Sequence, residues 1–345
     1  MYLAGTAAKN LTTCNAHDSP CQIASEHFLE IEKKEQARMQ KALSNDPSAT
    51  PNPHSHSRSL SSGVRLAGIG KGDKNRYKDI LPFEHSRVRS KVDDSTGDYI
   101  NASHIKSKLV SGRFIACQAP TPATFADLWR VIWEQKSRII VMLTAESEGG
   151  QLKAHPYWTS GDYDCFRVKL KGEEDRSLHS HSRPKLHRTS SNAGSSQKPQ
   201  MYRRHTDIPE KEPLRVTIRS LELQNVSCPN EPPMSLTQIQ LCSWPDTGTT
   251  ARPVDILSLI DLCDDLEYQY HLDLKKGSQI PDESYGPKVI HCSAGCGRTG
   301  TFCTVAMVLD VLKERKTSMM GGTDNDHSSE RGEFYIPMKF LGLSD

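Results

Sequence analysis

The sequence is short of the features that would assign it to most functional classes. Only 6% of its 345 residues are aromatic and 35% are hydrophobic. The mean hydropathy of -0.60 is low for a chain that is core throughout, so polar connecting segments must accompany any folded part. The longest strongly apolar run, around "IIVML", is far shorter than the ~20 residues that span a bilayer, and no membrane partner is expected. The opening stretch "MYLAGTAAKNLTTCNA" lacks the basic start and continuous apolar segment of a secretory leader. A formal charge of +2 gives no case for nucleic acid as a partner. The ten cysteines include no CxxC pair and have no histidine at zinc-ligand spacing, so neither a metal nor a cofactor is expected. A reducing location, cytoplasmic or nuclear, follows as the expectation and keeps a reactive thiol usable.

What is present falls into segments. Residues 1–21 read as a disordered N-terminus, and 22–43 as a surface helix docked by a sparse stripe that includes Ile23, Phe28 and Ile31. Residues 44–70, rich in Ser, Pro and His, read as a flexible linker. From 71 to 318 strand-like and helix-like patterns alternate at short spacing, which predicts an α/β domain. "FADLWRVIWEQ" places Phe125, Leu128, Trp129, Ile132 and Trp133 on one helical face. The domain pattern stops at about 174–205, where Arg176 to Arg204 contains seven Lys or Arg and no acidic residue; a disordered basic insertion between two strands is expected there. After it, Val289 and Ile290 read as a short strand. "TFCTVAMVLDVLKERK" reads as a helix with Phe302, Val305, Ala306, Leu309 and Leu312 inward.

Between that strand and that helix lies "HCSAGCGRTGTF", with Cys292 six residues before Arg298 and no acidic residue between them. A tight loop with glycines converges its backbone N–H groups on an anion, and the following helix adds its positive end. Ser293, Ala294, Gly295, Cys296 and Gly297 supply those groups. Arg298 holds two oxygens at once, and the same field favours the thiolate of Cys292, a nucleophile for phosphoryl transfer.

"HCSAGCGRTG" resembles the signature loop of the cysteine-based protein tyrosine phosphatases of non-receptor type. Other segments match that family in order: "KNRYKDILPFEHSRV", "DYINASHI", "FIACQAP", "DLWRVIWE", "IIVMLT", "HPYW" and "SWPDTG". The resemblance implies a fold in which a highly twisted mixed β-sheet is flanked by helices. It implies hydrolysis of phosphotyrosine by Cys292 as nucleophile, Arg298 as phosphoryl clamp and Asp246 as general acid. His291 would orient and help ionise the thiolate, and Thr299 would hydrogen-bond to Cys292. Trp244 and Pro245 would hinge the acid loop, Tyr77 would stack on the substrate ring, and Asp79 would accept a peptide N–H. On alignment to "LKxxxYW", Glu148 braces the arginine and Lys153 contacts the acid loop. Phosphotyrosine proteins, mitogen-activated kinases among them, are the implied partners of a monomer.

Residues 319–345 do not match the family's last helices or its glutamine-bearing loop, which leads to the expectation of a carboxy-terminally truncated member. Two classes stay open at this stage: an active phosphatase, or a form that binds or traps phosphotyrosine proteins without turnover. A dual-specificity enzyme is disfavoured by the tyrosine-recognition segment.

Overall fold

Residues Ile139–Met142 are apolar without interruption, and all four are buried, which only a strand covered on both faces allows. In the computed structural model, residues 19–44, 65–91, 97–107, 109, 113–178, 213–246, 248, 252–277 and 286–320 are described. The strands, in chain order, are β1 (Arg87–Arg89), β2 (Tyr99–Lys106), β3 (Arg113–Cys117), β4 (Ile139–Met142), β5 (Ser147–Glu148), β6 (Gln151–Leu152), β7 (Gly161–Tyr163), β8 (Phe166–Leu178), β9 (Leu214–Asn225), β10 (Met234–Gln240) and β11 (Lys288–His291). The helices are α1 (Ser19–Ser44), α2 (Phe125–Gln135), α3 (Pro253–Gly277) and α4 (Gly297–Met320). Nine strands form one sheet in the order β1-β2-β3-β11-β4-β10-β9-β8-β7, while β5 and β6 pair as a separate hairpin. The central pairs β3–β11, β11–β4 and β4–β10 are parallel and the flanking pairs antiparallel. The fold is α/β with a mixed sheet, as expected.

Strand alternation divides the core into two layers. Ile115, Ile140, Met142 and Val289 face a cluster built on Leu128, Trp129 and Ile132 of α2. Phe114, Ile139, Val141 and Ile290 face the other side, against Leu259, Ile260 and Cys263 of α3 and Phe302, Cys303 and Ala306 of α4. Central β11 therefore ends between two packed layers, and the residues that follow it emerge at a fixed point.

Four expectations are corrected. The first helix begins at Ser19, inside the stretch expected to be disordered, and ends at Ser44; Ser19 and Pro20 are start residues whose signal lies just upstream of the apolar stripe. Residues 1–18 lie outside the described residues. Residues 65–70, assigned to the linker, belong to the domain: Ala67 is buried, its N–H donates to the Pro82 carbonyl, and Glu84 N–H donates to the Arg65 carbonyl. The short apolar pair Leu66–Ala67 holds them. Strand β8 continues through Glu174 to Leu178, where the insertion was expected to have begun; these polar residues are held by backbone pairing with β9 rather than by burial. The rest of the insertion, like residues 321–345, lies outside the described residues. Finally, Leu312 is exposed, because the inward face of α4 carries Phe302, Cys303, Ala306 and Met307.

Candidate active site

Strand β11 carries His291 to the sheet's C-terminal edge, where the Leu143 N–H donates to the His291 carbonyl. The chain then turns through Cys292–Cys296 before α4 begins at Gly297. The turn presses against the end of β3: Ala119 N–H donates to the Ser293 carbonyl at 2.9 Å. Gly295 has φ +78°, and a Cβ there would stand 2.4 Å from the Cys117 carbonyl oxygen, so only glycine closes this turn. Cys292, Ser293, Arg298 and Thr299 are all buried, while Ala294 and Gly295 are half-buried and Cys296 and Gly297 exposed.

Ser293 ties the turn to its surroundings. Its hydroxyl donates to the Lys153 carbonyl at 2.9 Å and lies 2.8 Å from the Tyr77 hydroxyl. Tyr77 is half-buried and Asp79 exposed. The segment bearing Tyr77 is pinned by residues that sequence reasoning passed over: Arg76 N–H donates to Gln118 Oε1 at 2.9 Å, and Gln118 Nε2 donates to the Lys74 carbonyl at 2.8 Å.

Arg298 is the centre of an ionic cluster. Its Nη1 donates to Glu148 Oε1 and, at 2.8 Å, to the carbonyl of buried Trp244. Its Nη2 donates to Asp246 Oδ1 at 3.1 Å. Lys153 Nζ donates to the other Asp246 oxygen at 2.8 Å, and Asp246 N–H donates to Glu148 Oε2 at 3.1 Å. Thr144, also missed in the sequence, donates to Glu148 Oε1 at 2.6 Å. Pro245 is exposed between the two anchored residues Trp244 and Asp246. Burial pushes the Asp246 carboxyl up, but the Lys153 hydrogen bond and the Arg298 charge outweigh it and hold it below the usual range. Burial likewise opposes ionisation of Glu148, and the Thr144 and Arg298 hydrogen bonds prevail. Arg298 Nε has no partner among the described residues, so the guanidinium keeps a donor in reserve.

Two expectations change. His291 is fully buried, and burial lowers it to about 4, with only partial opposition from its bond to the Cys292 backbone. The ring is therefore neutral near pH 7 and brings no positive charge beside Cys292. Nδ1 lies 2.9 Å from the Cys292 carbonyl, which only accepts, so Nδ1 carries the hydrogen. Nε2 then accepts from the Tyr157 hydroxyl at 2.7 Å. The expected bond from Thr299 to Cys292 is not made: the Thr299 hydroxyl is buried with no hydrogen-bond partner among the described residues.

A concave turn of backbone donors, a buried cysteine and a guanidinium partnered by carboxylates would receive a tetrahedral oxyanion. A family model described as protein-tyrosine phosphatase matches residues 71–206 and 190–331. Human tyrosine-protein phosphatase non-receptor type 4 is 31% identical over 248 residues, which cover 70% of this chain and 21% of the relative. Human receptor-type tyrosine-protein phosphatase alpha is 32% identical over 259 residues, 72% of this chain and 26% of the relative. Human tyrosine-protein phosphatase non-receptor type 12 is 34% identical over 250 residues, 70% of this chain and 25% of the relative. The chain thus spans about a quarter of the length of these curated relatives.

Proposed function

The chain belongs to the protein-tyrosine phosphatase family, and on that premise we propose that it hydrolyses phosphotyrosine in proteins through a cysteinyl-phosphate on Cys292. The observation that carries the reading is the position of Arg298, which stands in the first turn of α4 beside the Cys292 turn and already binds the Asp246 carboxylate. A phosphate dianion entering the turn competes for the same guanidinium and displaces that carboxylate. Asp246, now facing two negative charges with one fewer cation, takes up a proton and becomes an acid. The Cys292 thiolate attacks phosphorus, the P–O bond to the tyrosyl oxygen breaks, and Asp246 gives its proton to the leaving oxygen. Water then attacks phosphorus, Asp246 takes the water proton, and the P–S bond breaks to release phosphate and restore the thiolate.

Tyr77, joined to the turn through Ser293, supplies the wall of a slot deep enough for a tyrosyl phosphate, and Asp79 at the rim receives a peptide N–H. Mitogen-activated kinases enter the proposal only as members of that substrate class. No helix among the described residues is long and apolar enough to cross a membrane, and the proposed thiolate requires a reducing compartment such as the cytoplasm.

The reading is tested with Cys292→Ser. Hydrolysis of para-nitrophenyl phosphate is expected to fall to background while a phosphotyrosine peptide still binds, since the donors and Arg298 are untouched. A serine variant that retains a substantial rate overturns the nucleophile assignment.

A further inference from the structure

Arg219 on β9 is nearly inaccessible, and its guanidinium stacks on the Trp158 ring at 4.2 Å. Its Nη1 donates to Gln238 Oε1 and to Gln240 Oε1, each at 2.8 Å. One nitrogen carries two hydrogens, so both bonds form at once. Each bond fixes an amide orientation, because an oxygen turned toward Arg219 leaves the Nε2 pointing away as a donor. Gln240 Nε2 then donates to the Thr144 carbonyl at 3.2 Å, and Thr144 Oγ1 donates to Glu148, the carboxylate that braces Arg298. Gln238 Nε2 donates to Met142 Sδ at 3.5 Å. One buried cation therefore stands at the root of a chain of contacts that runs through Gln240 and Thr144 to the phosphate clamp.

We infer that Arg219 is a positioning residue that sets the phosphate clamp through Gln240. It does not touch Arg298, and acts by holding the Gln240 amide, which would otherwise be free to flip. Losing the root frees that amide and loosens Thr144, whose hydroxyl holds the carboxylate that braces Arg298. The outer end of the system is accessible: Arg219 Nε pairs with Glu173 on β8, whose side chain is 49% exposed.

The inference rests on the phosphatase reading, and the experiment separates them. Full-length wild type, Arg219→Met, Gln240→Leu, the double variant and Glu173→Gln are assayed on para-nitrophenyl phosphate across pH. A wild type without hydrolysis sinks the phosphatase reading itself. Given an active wild type, Arg219→Met, which keeps an apolar stem over Trp158, is expected to lower kcat at least tenfold, change KM less than threefold, and displace the acidic limb of the kcat/KM profile. A purely structural role would reduce the amount of active protein and leave that limb in place. The double variant is expected to be no slower than Arg219→Met, because Gln240 acts through the residue already removed. Multiplying losses, or a kcat within twofold of wild type, overturns the inference. Should Arg219→Met fail to fold, Glu173→Gln decides: altered at a half-exposed position, it is expected to fold and to slow kcat about threefold with the same displacement of the limb, and an unchanged profile overturns the inference.

Discussion

At the scale of the residue, Asp246 has two tasks that pull its acidity apart. In the unliganded site it is an anion held by Lys153 and Arg298; to expel a tyrosyl oxygen, whose conjugate acid has a pKa of ~10, it must arrive protonated. In the proposed mechanism the substrate resolves this by taking Arg298 away. Asp246→Ala is therefore expected to slow phosphotyrosine cleavage by about 10²–10⁴-fold while hardly affecting an aryl phosphate whose leaving group needs no proton. Equal losses on both substrates would remove the acid role. The Lys153 hydrogen bond is the leading force holding Asp246 down against its burial. Its removal in Lys153→Ala raises the Asp246 pKa, and since the protonated form does the work, the descending limb of the kcat profile moves to higher pH. A limb that stays put or moves to lower pH contradicts the assignment. Cys292 and Arg298 were legible in the sequence because one loop holds both. The partners of Arg298 were visible only through resemblance or not at all: Glu148 is 150 positions away, and Lys153 and Asp246 are separated by 93. Thr144 and Tyr157 carry no local mark of their tasks, which depend on the tertiary placement of Glu148 and His291.

At the scale of the element, the turn from β11 to α4 is a backbone device, and its weak point is Gly295. A methyl group there meets the Cys117 carbonyl in a backbone region that already disfavours side chains, at a cost on the order of 1–3 kcal/mol for the conformation alone. Gly295→Ala is expected to lower the urea midpoint and to remove most turnover, since the clash is with the neighbouring strand and only movement of the turn relieves it. Gly70→Ala is the control: its φ of +81° is similarly left-handed, but nothing lies within 4 Å of the added atom. It should destabilise modestly and leave kcat unchanged; equal damage to kcat from both would mean that strain in general, not the position of the turn, limits catalysis. The element pattern was readable where burial is one-sided, as in α2. Helix α3 was not read from the sequence, although Pro253 stands at its start and Ile256, Leu259, Ile260 and Cys263 are buried along it. The outer half of β8 offered none: it is polar and held to β9 by main-chain bonds, which no side-chain pattern reports.

At the scale of the whole molecule, histidines buried in the neutral form make stability depend on pH. Burial lowers His291 to about 4, and burial also lowers His104 and His155, with Lys106 and Arg76 respectively adding to the effect. An unfolded histidine binds its proton near pH 6.5, so between that value and 4 the unfolded chain holds a proton at residue 291 that the folded chain refuses. More protons on the unfolded side means that stability falls as pH falls through this window. For His291 the loss amounts to about 3 kcal/mol at one pKa unit per 1.4 kcal/mol, a large share of the ~5–15 kcal/mol that holds a domain together. Below the window the sign stays the same for a different reason: Asp246 and Glu148 have lowered values in the fold, so their contribution, present above the unfolded carboxylate range, is lost as acid protonates them. Urea unfolding of the wild type from pH 7 to pH 4 should therefore show a steady fall in midpoint. His291→Gln, which can still donate to the Cys292 carbonyl and accept from Tyr157 but does not titrate, is expected to start lower at pH 7 and to decline less steeply by about that 3 kcal/mol. Parallel declines for the two proteins would mean that His291 gains its proton within the fold, and with it the charge beside Cys292 that the buried neutral ring does not supply.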